Sequence, residues 1–208
     1  MRLPLFLAVL AGLALTTQAA QAQQGGPLPG QVPGERLFLI PPAGWVIGFH
    51  DHQGNTDLTE LVPQGQTVQS WEEMLTVQLI DGKPEGTPTD ILKNQLSEIQ
   101  QACEDVGAGP VSPGMENGYE TAIRAIACTK SKQWGKGELN LYKVIRGRER
   151  LYVVSRSWRG QPFDKEKLPV SSEVTKQWLA FMQQVIVCDA RDAQHACPGS
   201  APARSGFR

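Results

Sequence analysis

Three runs in the second half of the chain alternate apolar with polar residues: "GYETAIRAIACTK" (118–130), "GELNLYKVI" (137–145) and "RLYVVSRSW" (150–158). Successive side chains of an extended strand point to opposite faces, so this period of two marks strands with a face in a core. The joints between the runs carry Gly135 and the polar stretch "RGRE" (146–149). Parallel pairing needs a crossover of about a dozen residues or more, which these joints cannot supply. The three runs therefore predict an antiparallel meander.

The rest of the chain is organised around that meander. Trp45, Ile47 and Phe49 alternate with Val46, Gly48 and His50 ahead of the turn residues Gln53-Gly54-Asn55, which predicts a hairpin over 45–62. In "TVQSWEEMLTVQLIDG", Ser70 and Glu73 have capping-box spacing, which predicts a short helix from Trp71 feeding a strand at 76–80. Thr87, Pro88 and Asp90 read as the cap and first turn of a helix, with Ile91, Leu92, Leu96, Ile99 and Cys103 at helical spacing on one face. "VGAGPVSPG" (106–114) then reads as a flexible crossing to the sheet. Near the end, Val174, Trp178, Phe181, Met182, Val185 and Ile186 recur at helical intervals and predict a long amphipathic helix. Hairpins without βαβ crossovers give an α+β class, an antiparallel sheet of about five to seven strands with one face covered by two main helices.

The ends bound the compartment. Met1-Arg2, the apolar run "LPLFLAVLAGLAL" and the small-residue stretch to Ala22 have the layout of a secretory signal peptide cut after Ala22. No cysteine follows that run to accept a lipid, so no membrane anchor is expected. Residues 23–35 and 191–208 are rich in Pro, Gly and polar residues and read as flexible segments, leaving 36–190 as a single domain. The chain has 20 basic and 21 acidic residues, a net charge of −1, and stays near neutral without Arg2. It lacks the positive field that a nucleic acid partner calls for. A periplasmic or secreted location follows, with an unknown protein or small molecule of that compartment as partner.

The four cysteines, Cys103, Cys128, Cys188 and Cys197, agree with export. Four cysteines allow three connectivities. Pairing sequence neighbours, Cys103 with Cys128 and Cys188 with Cys197, closes loops worth about 3.5 and about 2.7 kcal/mol in chain entropy. No Cys-x-x-Cys pair offers a redox or zinc centre.

The segment "ELVPQGQTVQSWEEMLTVQLIDG" (60–82) resembles a motif of an uncharacterised family of secreted proteobacterial proteins, in which a Val-Pro-x-Gly-x-Thr-Val turn precedes Trp-x-x-Met and Thr-Val-Gln. The order of elements is more loosely similar to the Mog1/PsbP-like fold. That resemblance implies an adaptor or accessory role without catalysis, although a fold hosts many functions.

Candidate chemistry is sparse. His50 and His52, two apart on a strand, project from one face about 6.6 Å apart and could share a metal, while Asp51 points away. The other imidazole, His195, falls in the C-terminal segment, so the ordinary reading is a solvated hairpin end. Ser155 or Ser157 could be assembled with His50 and Asp51 into a triad, but no G-x-S-x-G elbow supports it. Arg146, Arg148, Arg150, Arg156 and Arg159 cluster around the last hairpin, diluted by Glu138 and Glu149. Arg156 and Trp158 share a strand face and could meet a ligand, as could Trp71 and Gln78, with Gln66, at the 60–82 motif. The sequence calls for no cofactor. It reads as a binding or accessory protein, with a small atypical hydrolase or a weak metal binder at His50/His52 as the alternative.

Overall fold

The computed structural model describes Leu28, Gln31 and residues 34–82 and 85–199. In chain order the elements are β1 (Glu35–Phe38), β2 (Trp45–Gln53), β3 (Thr56–Pro63), β4 (Glu73–Asp81), α1 (Pro88–Ala102), β5 (Val106–Ala108), β6 (Ser112–Glu116), β7 (Tyr119–Cys128), β8 (Gly137–Arg146), β9 (Arg150–Gly160), α2 (Ser172–Gln184) and β10 (Ile186–Asp189). A 3-10 turn, Ala193–His195, follows. The main sheet has eight antiparallel strands in the order β2-β3-β4-β9-β8-β7-β5, with β6 also paired to β7. β1 and β10 form a separate antiparallel ribbon. The architecture is α+β, with more strands in the sheet than the sequence alone suggests.

The predicted meander is β7-β8-β9, and the predicted hairpin is β2-β3, with Gly54 at φ 61 in its turn. β6 was hidden in the flexible-looking 106–114 crossing. It turns into β7 at Asn117-Gly118, both at positive φ (47° and 79°), the conformation a tight type I′ hairpin demands and that Asn-Gly supplies with little strain. Thr87 caps α1 as expected. Its hydroxyl accepts from the Asp90 amide at 3.2 Å while the Asp90 carboxylate accepts from the Thr87 amide at 3.1 Å.

The two helices lie on opposite faces of the sheet, not together on one. Trp178 and Met182 of α2 pack with Leu75, Val77, Leu141, Ile145 and Tyr152, joined by Leu37 and Val187 of the ribbon. Leu92 of α1 packs with Ala122, Val144 and Leu151, which occupy the other phase of the same strands. The central strands are apolar in both phases, so each side needs its own cover.

Three further expectations are corrected. No helix forms at Trp71. The chain turns through a bridge between Thr67 and Ser70 and enters β4 at Glu73, because extending the ladder opposite Trp158 outweighs one local cap. The C-terminal helix stops at Gln184, and the β-branched run after it becomes β10, pairing Ile186 with Phe38. The supposed flexible segments are partly packed: Leu28, Glu35, His195 and Cys197 are all buried. The signal sequence, residues 1–22, and the terminal residues 200–208 lie outside the described residues. The disulfides join Cys103 to Cys128 and Cys188 to Cys197.

Candidate ligand site at the end of the sheet

Where β8 begins and β9 ends, Glu138 and Arg159 are direct cross-strand partners. Arg159 Nε donates to Glu138 Oε1 at 2.7 Å, and the Trp134 indole N–H donates to the same oxygen at 3.0 Å. The guanidinium lies between two indoles, 4.0 Å from the Trp71 ring centre and 4.9 Å from that of Trp134. This indole–guanidinium–indole stack gains cation–π attraction, and its charge is already balanced by Glu138. Trp71 is buried, whereas Trp134 is 48% exposed.

Two open clefts flank the stack. The first, about 430 Å³, is bounded by Ile99 and Ala102 at the end of α1, the Cys103–Cys128 disulfide, Trp134, Asn140 and Tyr142. The second, about 690 Å³, is bounded by Gln66, Ser70, Trp71, Trp158, Arg159 and Gln161. The turn beside it is fixed by the Gln66 side chain, whose Oε1 accepts from the Glu72 amide at 2.7 Å and the Glu73 amide at 3.4 Å. Burial pushes the Tyr142 phenol above its ordinary range, and Glu138 and Glu98 push it further, so it remains a donor. Burial also raises the Glu60 carboxyl on that face, with Arg159 pulling the other way.

The residues singled out from sequence scatter around this end. Trp71 and Trp158 meet at the second cleft. Arg156 is turned under α2, with its guanidinium 5.5 Å from the ring centres of Trp45, Trp178 and Phe181 and an Nη2 bond to Glu73 at 3.2 Å. Gln78 sits between Leu58 and Val153, on the α1 side and away from both clefts. His50 and His52 share a face of edge strand β2. The Nδ1 of His50 lies 3.1 Å from the Leu58 carbonyl, and that of His52 lies 3.0 Å from Asp57. Among the described residues no group of three or more His, Cys, Asp and Glu side chains is poised to hold a metal ion. His195, placed in a tail by sequence, is buried beside Tyr119, 4.7 Å between ring centres.

Sequence reasoning passed over Trp134 and Asn140. The signal for Trp134 was an aromatic residue in the polar, Gly-bounded loop "SKQWGKG", where a large ring has no regular element to bury it. Asn140 gave none, since a polar residue in that phase of a strand normally faces water.

No protein-family model matches the chain, and no curated protein matches it by sequence. Among solved structures it is similar to the Ran-binding protein Mog1p of Saccharomyces cerevisiae, at 11% identity and TM-score 0.47 over 74% of this chain and 96% of that one. It is similar to the cyanobacterial PsbP of Synechocystis sp. PCC 6803, at 15% identity and TM-score 0.45 over 79% and 98%. LpqN of Mycobacterium tuberculosis, a protein involved in cell envelope biogenesis, is similar at 10% identity and TM-score 0.43 over 77% and 86%. These are the Mog1 and PsbP-like neighbours that the order of elements led one to expect. The likeness is one of fold and assigns no activity.

Proposed function

We propose that this is an exported binding or accessory protein, periplasmic or secreted, whose ligand is taken up beside the Trp71–Arg159–Trp134 stack. The observation that carries the reading is the stack itself. It is a pre-formed wall between two clefts, held by Glu138 before any ligand arrives, and its outer indole is left exposed. Pre-organised concavities with aromatic walls and few polar groups are where small molecules bind with least ordering cost. Two disulfides and the signal-peptide layout of residues 1–22 support export.

The test is expression of the full chain in a Gram-negative host, followed by fractionation and native mass spectrometry. Cleavage after Ala22, two intact disulfides and a small molecule retained by the wild type but lost from a Trp134→Ala/Arg159→Ala variant are expected. An uncleaved chain that stays in the cytoplasm, or a retained molecule indifferent to both substitutions, would sink the proposal.

A further inference from the structure

The cleft between α1 and β8 has a definite polarity. Ile99, Ala102, the Cys103–Cys128 disulfide and the faces of Trp134 and Tyr142 make most of its wall apolar. Asn140 is only 7% exposed and lies on this wall. Its Oδ1 accepts from the Ser157 hydroxyl at 2.6 Å, and among the described residues the Nδ2 hydrogens have no partner. An amide N–H that the fold leaves unpaired and open to the cleft is a donor available to whatever enters. Tyr142, two residues along the same strand and on the same face, lines the cleft too, and among the described residues its hydroxyl has no partner.

Two charged side chains, Lys132 and Glu138, line the rim. Lys132 Nζ donates to the Gln101 carbonyl at 2.8 Å, and Arg159 is paired with Glu138. Among the described lining residues Lys132 is the one cation, held against the last turn of α1 whose dipole offsets part of its charge, and Glu138 is neutralised by Arg159, so no strong field of either sign faces the cleft. A cationic ligand could donate to the Tyr142 oxygen but would leave the Asn140 Nδ2 hydrogens unsatisfied.

We infer that this cleft binds an uncharged, largely apolar small molecule carrying a carbonyl-type acceptor, its body against the disulfide and Trp134 and its oxygen accepting from Asn140 and Tyr142. The inference rests on the binding-protein reading and gives it a ligand class. It also gives the disulfide a second role, as the back wall of the site. A volume of about 430 Å³ suits a ligand of one or two rings.

Benzophenone is a suitable probe, with diphenylmethane as the same skeleton lacking the carbonyl and 4-benzoylbenzoate as its anionic analogue. Binding to the disulfide-bonded protein is followed by the NMR shift of the Trp134 indole N–H and by near-ultraviolet crosslinking. Saturable binding is expected, with benzophenone about five-fold tighter than diphenylmethane, the size of one satisfied hydrogen bond. Benzoylbenzoate should bind more weakly than benzophenone. Tyr142→Phe, which removes one oxygen without disturbing the Asn140–Ser157 pair, should reduce the carbonyl preference and leave diphenylmethane unchanged. Ala102→Trp should fill the cleft and abolish both, and crosslinks should fall within 99–103 or 131–142. No saturable binding, equal binding of the two neutral probes, tighter binding of the anion, or insensitivity to Ala102→Trp would overturn the inference. If a molecule retained from the host is lost on Arg159→Ala yet does not compete with benzophenone, the binding function stands and only this assignment of ligand class falls.

Discussion

Lys143 sits where the alternation of β8 asks for an apolar residue. It shares a phase with Leu139, Leu141 and Ile145 and has no exposed surface. Its ammonium donates to the Met182 carbonyl at 2.8 Å, to the Val185 carbonyl at 2.7 Å and to Glu116. It thus closes the C-terminal end of α2, where unpaired carbonyls and the helix dipole favour a cation. Burial lowers its affinity for the proton, and Glu116 acts in the opposite direction. Lys143→Met keeps the volume but strands the Val185 carbonyl and the Glu116 carboxylate and leaves the Met182 carbonyl only the Val185 amide. A loss of about 3 kcal/mol in urea unfolding is expected, and a loss under about 0.5 kcal/mol would show that the ammonium does not hold the helix end. Glu35 presents a similar case on β1. It is 1% exposed, with Oε2 accepting from the Arg148 amide at 2.7 Å and Oε1 accepting from the Tyr152 hydroxyl at 3.1 Å and the Glu149 amide at 3.2 Å. Glu35→Gln turns one acceptor into a donor facing donors, with an expected cost of about 1–2 kcal/mol in the same measurement. Neither residue was recognisable from sequence as a buried anchor, since each is paired with groups far along the chain.

At the scale of elements, the sequence was legible where local chemistry and tertiary context agree. The Thr87–Asp90 cap is such a place, and Thr87→Ala should cost about 1 kcal/mol by thermal or urea unfolding, with the hydrogen exchange of α1 rising first. It was misleading where two local signals compete. Ser70-x-x-Glu73 has the spacing of a helix cap, yet Glu73 through Asp81 pair residue by residue with Trp158 through Arg150. Nine residues of ladder outweigh one cap. The run after Gln184 kept helical spacing by coincidence of its apolar residues, and β1 was available to pair with it. The candidate site suffers from the same limit. Trp71, Trp134 and Arg159 come from three separate segments, and nothing in any one of them announces the stack. Removing the Cys103–Cys128 bond as a Cys103→Ala/Cys128→Ala pair should lower stability by about 3.5 kcal/mol. It should also weaken benzophenone binding at temperatures where the variant is still folded, because α1 is then free to move off β7.

For the molecule as a whole, the β1–β10 ribbon is tied to the β8–β9 hairpin by charge. Arg191 joins Asp189 at 2.7 Å to Glu149 at 2.5 Å, and Arg148 joins Asp192 at 2.8 Å. The hydrogen bonds from Arg191 hold the Asp189 carboxyl down at about 2, and the Asp192 carboxyl is lowered by its bonds to the Gln194 amide and Arg148. A carboxyl depressed in the folded state adds stability that is fully present above its ordinary value and is lost as pH falls through the folded one. Denaturation midpoints should therefore decline between about pH 4 and pH 2. Asp189→Asn should be less stable at pH 6 and show a shallower decline. An unchanged acid profile in that variant would remove the ribbon clamp from the account.

The sequence by itself determined the strand periods, the β2–β3 turn and the α1 cap, all set by interactions spanning a few residues or one turn, and from them the α+β class; which cysteines pair was left to the fold. Tertiary structure alone decided which face each helix covers, where β4 starts and α2 stops, and that Lys143 and Glu35 are interior. It alone also brought Trp71, Arg159 and Trp134 into one stack. The physical reason is common to all of these. Burial and hydrogen-bond satisfaction are properties of groups that meet in space, so a charged side chain reads as surface until its partners, 39 residues away for Lys143 and 117 for Glu35, arrive beside it.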